Sequence, residues 1–126
     1  MALLKYMNTQ LASLVSGLLT PPIQVLNGAS TYNTIAASQS AQALTGGGGG
    51  ATGDYLSHCT VLPTSTSPGV LTVKDNTTTI YAFPGGSSST SNLVPFTIPI
   101  GAKSVSGAWK ITTGAGLSVV CVGKFT

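Results

Sequence analysis

Gly69 to Phe83 reads GVLTVKDNTTTIYAF, and the reading of this stretch decides the fold. Leu71 and Val73 alternate with Thr72 and Lys74. Ile80 and Ala82 keep the same period of two beyond Asp75-Asn76. Successive side chains of a strand point to opposite faces, so a period of two marks a half-buried strand. Asp75-Asn76 fits a tight hairpin turn. The stretch is therefore expected to hold two strands, Gly69–Lys74 and Thr78–Phe83.

Working outward, similar short runs recur at the spacing of about 8–12 residues that suits a sandwich or barrel. Strands are expected near Ser30–Ser38, Asp54–Leu62, Leu93–Ile100, Ala108–Thr113 and Leu117–Phe125. Pro63–Pro68, Pro84–Ser91, Gly101 and Gly114–Gly116 separate them. In the last run Leu117, Val119 and Cys121 share one face, and Val120 and Val122 lie on the other beside Ser118. Two apolar faces predict a central strand. Pro95 and Pro99 predict an edge for Leu93–Ile100, because proline gives no donor to a sheet ladder. Trp109 and Phe125 are the expected large core anchors, with the indole N–H bonded to a carbonyl. The fold class is mainly β: a single antiparallel β-sandwich, jelly-roll or immunoglobulin-like, over 28–126, with an N-terminal helical or extended arm over 1–27.

The arm has a different period. Leu4, Met7, Leu11, Leu14 and Leu18 recur at intervals of three and four, the stripe of a packed helix. Asn8 or Thr9 suits the cap of a shorter version. Gly17 weakens the helix, and Pro21-Pro22 end it. These five apolar residues are the expected contacts to a partner or to other copies of the chain; an amphipathic helix laid on its own domain, or a disordered arm, is the plainer reading. Asn8, Thr9, Gln10, Ser13 and Ser16 interrupt the apolar stretch, so a signal peptide is not expected, and no segment approaches the roughly 18 apolar residues of a membrane span.

Charge is scarce. Of 126 residues 6% are charged, and hydrophobic residues make up 42%. The acids are Asp54 and Asp75; the bases are Lys5, Lys74, Lys103, Lys110 and Lys124, and there is no Glu and no Arg. Hydration must come from Ser, Thr, Asn and Gly, a habit of surfaces covered by neighbours in an assembly. A net charge of +3 from dispersed lysines makes no basic run, so nucleic acid is not an expected partner. Cys59 and Cys121 match no metal spacing. Their plain reading is two small buried hydrophobes. A disulfide between neighbouring strands is the alternative, and it requires the oxidising history of a secreted protein or an exposed virion. Gly46–Gly50 reads as a flexible loop and not a phosphate loop, since no Gly-Lys-Ser/Thr follows. Gly85–Ser91 reads as a loop tip.

Acid–base catalysis needs titratable groups that stand together. Asp54, Ser57, His58 and Cys59 are close in sequence. Strict strand alternation turns His58 away from both Ser57 and Cys59, which argues against a triad or a thiol–imidazole pair. One His and two scattered Asp make no familiar metal site. Asn76-Thr77-Thr78 matches a glycosylation sequon, a frequent chance match. No catalytic residue, metal or cofactor is expected, and the chain reads as a structural protein rather than an enzyme.

Three stretches carry a resemblance: Gly53–His58 (GDYLSH), Ser67–Asp75 (SPGVLTVKD) and Ser104–Gly116 (SVSGAWKITTGAG). Over about residues 30–126 the chain resembles small β-rich proteins of tailed bacteriophages and prophages. The likeness is one of texture: short strands, Ser/Thr/Gly turns and few charges. Proteins of this look include capsid decoration (cement) proteins, head fibres and tail-fibre modules. The resemblance implies a structural virion protein on the capsid surface that binds the major capsid protein across capsomer junctions. It further implies a homo-oligomer, a trimer favoured, with no role for membrane or nucleic acid. The alternative it implies is a head- or tail-fibre module that binds a host receptor or glycan. Exposed aromatics clustered in loops would favour that alternative. A secreted adhesin or pilin-like domain is a third reading.

Overall fold

The computed structural model describes residues 2–11 and 30–126. Residues 2–11 form a helix, α1. Eight strands follow: β1 (Thr31–Ile35), β2 (Gln42–Ala43), β3 (Tyr55–Pro63), β4 (Leu71–Asp75), β5 (Thr78–Phe83), β6 (Phe96–Lys103), β7 (Trp109–Thr113) and β8 (Leu117–Lys124). They make two four-stranded antiparallel sheets, β1-β8-β3-β6 and β2-β7-β4-β5, stacked in a sandwich-like arrangement with no closed barrel.

The pairing is nested. β4 pairs with β5, β3 with β6, β2 with β7 and β1 with β8. Only the β4–β5 connection stays within one sheet; every other connection crosses to the opposite sheet. Between the sheets lie Leu56, Cys59, Val61, Ile98, Leu117, Val119 and Cys121 of the first sheet, facing Leu71, Val73, Trp109 and Ile111 of the second. Each fully buried aliphatic side chain stabilises by about 1.5–3 kcal/mol relative to exposure, so this layer is the main favourable term for the body. Trp109 is buried, and its Nε1–H donates to the carbonyl of Asp54 at 2.9 Å. Phe125 closes the same end of the core.

β8 lies between β1 and β3, the central place its two apolar faces require. β6, with Pro99 inside it, is an edge strand. Four details depart from the sequence reading. β2, Gln42–Ala43, is a two-residue strand that follows the polar stretch Ser38–Ala41 and carries no alternation, so the sequence does not announce it. Gly101 does not end β6. It takes φ 64°, where the partner register slips, and the strand runs on to Lys103; glycine there forms a bulge. In β5 it is Tyr81 and Phe83 that turn toward the core, while Ile80 and Ala82 face out. A register slip beside Val73 and Lys74 leaves Ile80 unpaired and reverses the phase. The hairpin turn itself is Asn76-Thr77, with Asn76 at φ 55°.

α1 starts earlier than a cap at Asn8 or Thr9 would allow. Thr9 is inside it, and its hydroxyl donates back to the Lys5 carbonyl at 3.0 Å. Leu14, Leu18, Pro21-Pro22 and the boundary at 27/28 lie outside the described residues.

The antiparallel order gathers the connections at two ends. One end holds 44–54, 76–77, 104–108 and 125–126. The opposite end holds 36–41, 64–70, 84–95 and 114–116.

Candidate functional site

At the first end, each carboxylate serves as an acceptor for backbone. Asp54 is buried and accepts from the Ala51 N–H at 2.9 Å, the Thr126 N–H at 3.1 Å and the Thr126 hydroxyl. Asp75 is buried and accepts from the Val105 N–H at 2.8 Å, the Ser106 N–H at 3.2 Å and the Ser106 hydroxyl at 3.1 Å. Burial alone raises a carboxyl pKa. Here the hydrogen bonds from Thr126 and Ala51 outweigh it for Asp54, and those from Val105, Ser106 and Gly107 outweigh it for Asp75. Both groups are held below the ordinary carboxylate value, hence ionised at neutral pH and engaged by loops.

The glycine run belongs to the same network. The backbone oxygen of Thr126 accepts from the Gly46 and Gly50 N–H groups, both at 3.0 Å, and from the Thr45 hydroxyl at 3.1 Å. That hydroxyl accepts in turn from the Gly47 and Gly49 N–H groups at 2.9 and 2.7 Å. Asn33 of β1 holds Thr45 from both sides, donating to its carbonyl at 3.0 Å and accepting from its N–H at 3.1 Å. A Cβ on Gly46 would lie 2.3 Å from the Phe125 carbonyl oxygen, and one on Gly50 would lie 2.7 Å from the Ala108 Cβ. Read from sequence as a flexible loop, the run is instead wrapped closely around Thr45 and Thr126. At Gly46 and Gly50 glycine is required by contact, which composition alone does not reveal.

Ser57 and His58 are together after all. The Ser57 hydroxyl lies 3.0 Å from His58 Nδ1. Alternation fails at this step because β3 carries one residue more than β8 between Leu56 and His58. The inward side chains are Leu56 and then Cys59, so Ser57 and His58 both face out. The spacing of three between those apolar residues was the signal available in the sequence. No triad follows from the pair: Asp54 is committed to Ala51 and Thr126. Cys59 is bonded to Cys121, directly opposite it across β3 and β8 with Cα atoms 4.1 Å apart. The cysteines are thus buried, as the plain reading has it, and also joined, as the alternative has it.

Of the expected contact residues, Leu4, Met7 and Leu11 lie on α1, each more than half exposed. Leu3 and Tyr6, which the stripe omits, are equally bare. Leu14 and Leu18 fall outside the described residues.

A second feature lies between the edge strands β5 and β6. Tyr81, Phe83 and Phe96 floor an open groove of about 390 Å³ whose rim is Ser89, Ser91 and Asn92. The Phe83 and Phe96 rings meet at 5.4 Å, tilted by 51°. Thr90, buried under the rim, ties the loop down by donating its hydroxyl to the Ser65 carbonyl.

Comparison with protein-family models, with curated proteins and with solved structures returns no match.

Proposed function

We propose that this chain is a structural virion protein that decorates and stabilises a bacteriophage capsid from its outer surface, bound across capsomer junctions to the major capsid protein as a homo-oligomer, a trimer favoured. It performs no chemistry and needs no cofactor. The observation that carries the reading is the bare apolar face of α1: Leu3, Leu4, Tyr6, Met7 and Leu11 are exposed, in front of a body whose own core is complete without them. Apolar stripes of that kind mark interaction surfaces. Burying four leucine-class side chains contributes on the order of 6–12 kcal/mol before the entropy of ordering the arm is subtracted.

Three further features support it. The nested pairing of eight strands between Thr31 and Lys124 supports a jelly roll, an architecture used by viral capsid and lectin domains; likeness of fold carries no function alone. The cross-strand disulfide suits a particle that persists in oxidising surroundings. Both acids are spent on loops, which leaves no carboxylate poised for proton transfer.

Copy number on purified particles tests the proposal. Hundreds of copies per virion are expected, and deletion of 1–23 should yield a folded body that no longer binds. A truncated chain that still decorates at full occupancy would place the contacts in the body. Absence from particles overturns the reading.

The groove favours a second reading, a fibre module that binds a glycan. Aromatic rings beside serine hydroxyls and an asparagine amide match the C–H faces and hydroxyls of a neutral sugar, and the volume is that of a small-ligand site. A few to a few dozen copies per particle, with oligosaccharide binding lost in Tyr81→Ala, would select it.

A further inference from the structure

Every charged residue of the two-sheet body lies at one end of it. Asp54, Lys74, Asp75, Lys103, Lys110 and Lys124 all sit at the strand termini or connections around 44–54, 76–77, 104–108 and 125–126. The connections of the opposite end, 36–41, 64–70, 84–95 and 114–116, hold none. Sequence spacing hides this, because the six residues are spread over seventy positions and only the antiparallel order collects them.

The register then sets like charges together. Lys74 of β4 is directly opposite Lys110 of β7. Tyr55 of β3 is opposite Lys103 of β6 on one side and Lys124 of β8 on the other, so those two lysines root about 10 Å apart across a tyrosine. Both carboxylates turn inward to backbone N–H groups and serine or threonine hydroxyls, and neither accepts from a lysine among the described residues. The outward face of this end therefore offers ammonium groups and a tyrosine, and no aspartate or glutamate side chain. Like charges opposed across strands destabilise the isolated body, and an external anion relieves that repulsion. β1 begins at this end: Thr31, its first residue, is opposite Gly123, beside Lys124.

We infer that this charged end is the docking face and that its partner is a carboxylate-rich protein surface. The inference rests on the particle reading above and names the chemistry of its contact. Carboxylate is favoured over nucleic acid because all the cations are lysines. Without one arginine there is no planar fork to grip phosphates in pairs. The exposed apolar residues of α1 supply area, and the lysines supply orientation and encounter rate.

Binding of the full chain to poly-L-glutamate and to duplex DNA tests it. Poly-L-glutamate should bind, with affinity falling by roughly tenfold between about 50 and 200 mM salt. The Lys103→Ser/Lys124→Ser chain, confirmed as folded by circular dichroism, should bind about tenfold more weakly at the lower salt, which is about 1.4 kcal/mol. Duplex DNA should bind less well than poly-L-glutamate. DNA binding as tightly or more tightly overturns the proposal in favour of nucleic acid. Failure to bind poly-L-glutamate, or unchanged binding by the lysine variant, overturns it outright. Particles separate this from the broader reading: hundreds of copies retained regardless of salt and of the lysine substitutions leave decoration standing and overturn the acidic partner.

Discussion

The two ends of the body are built by different means. At the charged end, side chains hold backbone: Asp54 and Asp75 accept from Ala51, Thr126, Val105 and Ser106 between them, and Thr45 gathers the glycine run. At the neutral end no carboxylate side chain takes part: backbone and the hydroxyls of Thr90 and Thr113 hold backbone. Gly69 N–H donates to Ala115 O at 2.9 Å, Thr64 N–H to Gly116 O at 2.8 Å and Gly86 N–H to Pro68 O at 2.8 Å. There the chains approach so closely that a Cβ on Gly114 would lie 2.4 Å from the Gly69 Cα. The same core thus carries one end whose loops are held by carboxylates and one whose loops are held by neutral groups.

The disulfide lies mid-strand, between the ends, and its loss sets a reference for both. It closes a loop of 62 residues, for which chain entropy gives about 4 kcal/mol and measured bridges about 2–4. Cys59→Ala/Cys121→Ala should lose that much in urea unfolding and fall in Tm by more than about 10 °C. Hydrogen exchange should quicken at both ends alike. A loss confined to one end would show that the two sheets do not transmit the constraint.

Asp54→Ala against Gly114→Ala is the direct contrast. The first leaves two part-buried N–H groups and a hydroxyl without their acceptor, a cost of about 1–3 kcal/mol. The second forces a methyl into the Gly69 backbone and costs about 1–3 kcal/mol. Urea unfolding gives both magnitudes, and only Asp54→Ala should also flatten the acid limb of the stability curve. If Gly114→Ala flattens it equally, the division of the ends is wrong.

Much of this is legible in the sequence. Alternation and turn residues placed seven strands, Pro99 marked the edge, and the two apolar faces of Leu117–Lys124 marked the centre. What escaped has a common physical cause: each miss is a property of paired chains. The register slips at Ser57 and Ile80 exist only relative to a partner strand. The Cys59–Cys121 pairing, the wrapping of Gly46–Gly50 around Thr126 and the gathering of charge are contacts between segments far apart in sequence. β2, two residues long, has no period to read.

Acid should loosen one end first. The folded pKa of both aspartates is depressed below the ordinary 3.8. Their stabilisation is therefore complete above that value and is lost as pH falls through the lower folded values. Below about pH 4, amides of Ala51, Val105, Ser106 and Thr126 should exchange faster, while Thr64, Gly69 and Gly86 keep their protection until the body unfolds. The effect is smaller than that of Asp54→Ala, because protonation leaves the side chain in place. Simultaneous loss at both ends would mean that acid acts on the core and not on the carboxylates.

The smallest effect is the most specific test of the charged end. Lys74 and Lys110 oppose each other across β4 and β7, and the Lys110 ammonium is already placed, 3.2 Å from Asn76 Oδ1. Lys74 therefore adds repulsion to a neighbour that is held. Replacing it with threonine keeps strand propensity and removes one charge, so Lys74→Thr should stabilise the body by about 0.2–0.5 kcal/mol at low salt. Screening at about 1 M salt, where the Debye length is near 3 Å, should erase the difference. Thr112→Ser, a neighbouring change on the same outer face without charge, controls for packing and should show no salt dependence. Thermal unfolding of the three chains at both salt concentrations reads the result. A gain that persists at high salt belongs to β propensity alone, and the lysines are then spaced too far into solvent to repel. A gain that disappears with salt measures the repulsion that an acidic partner would relieve.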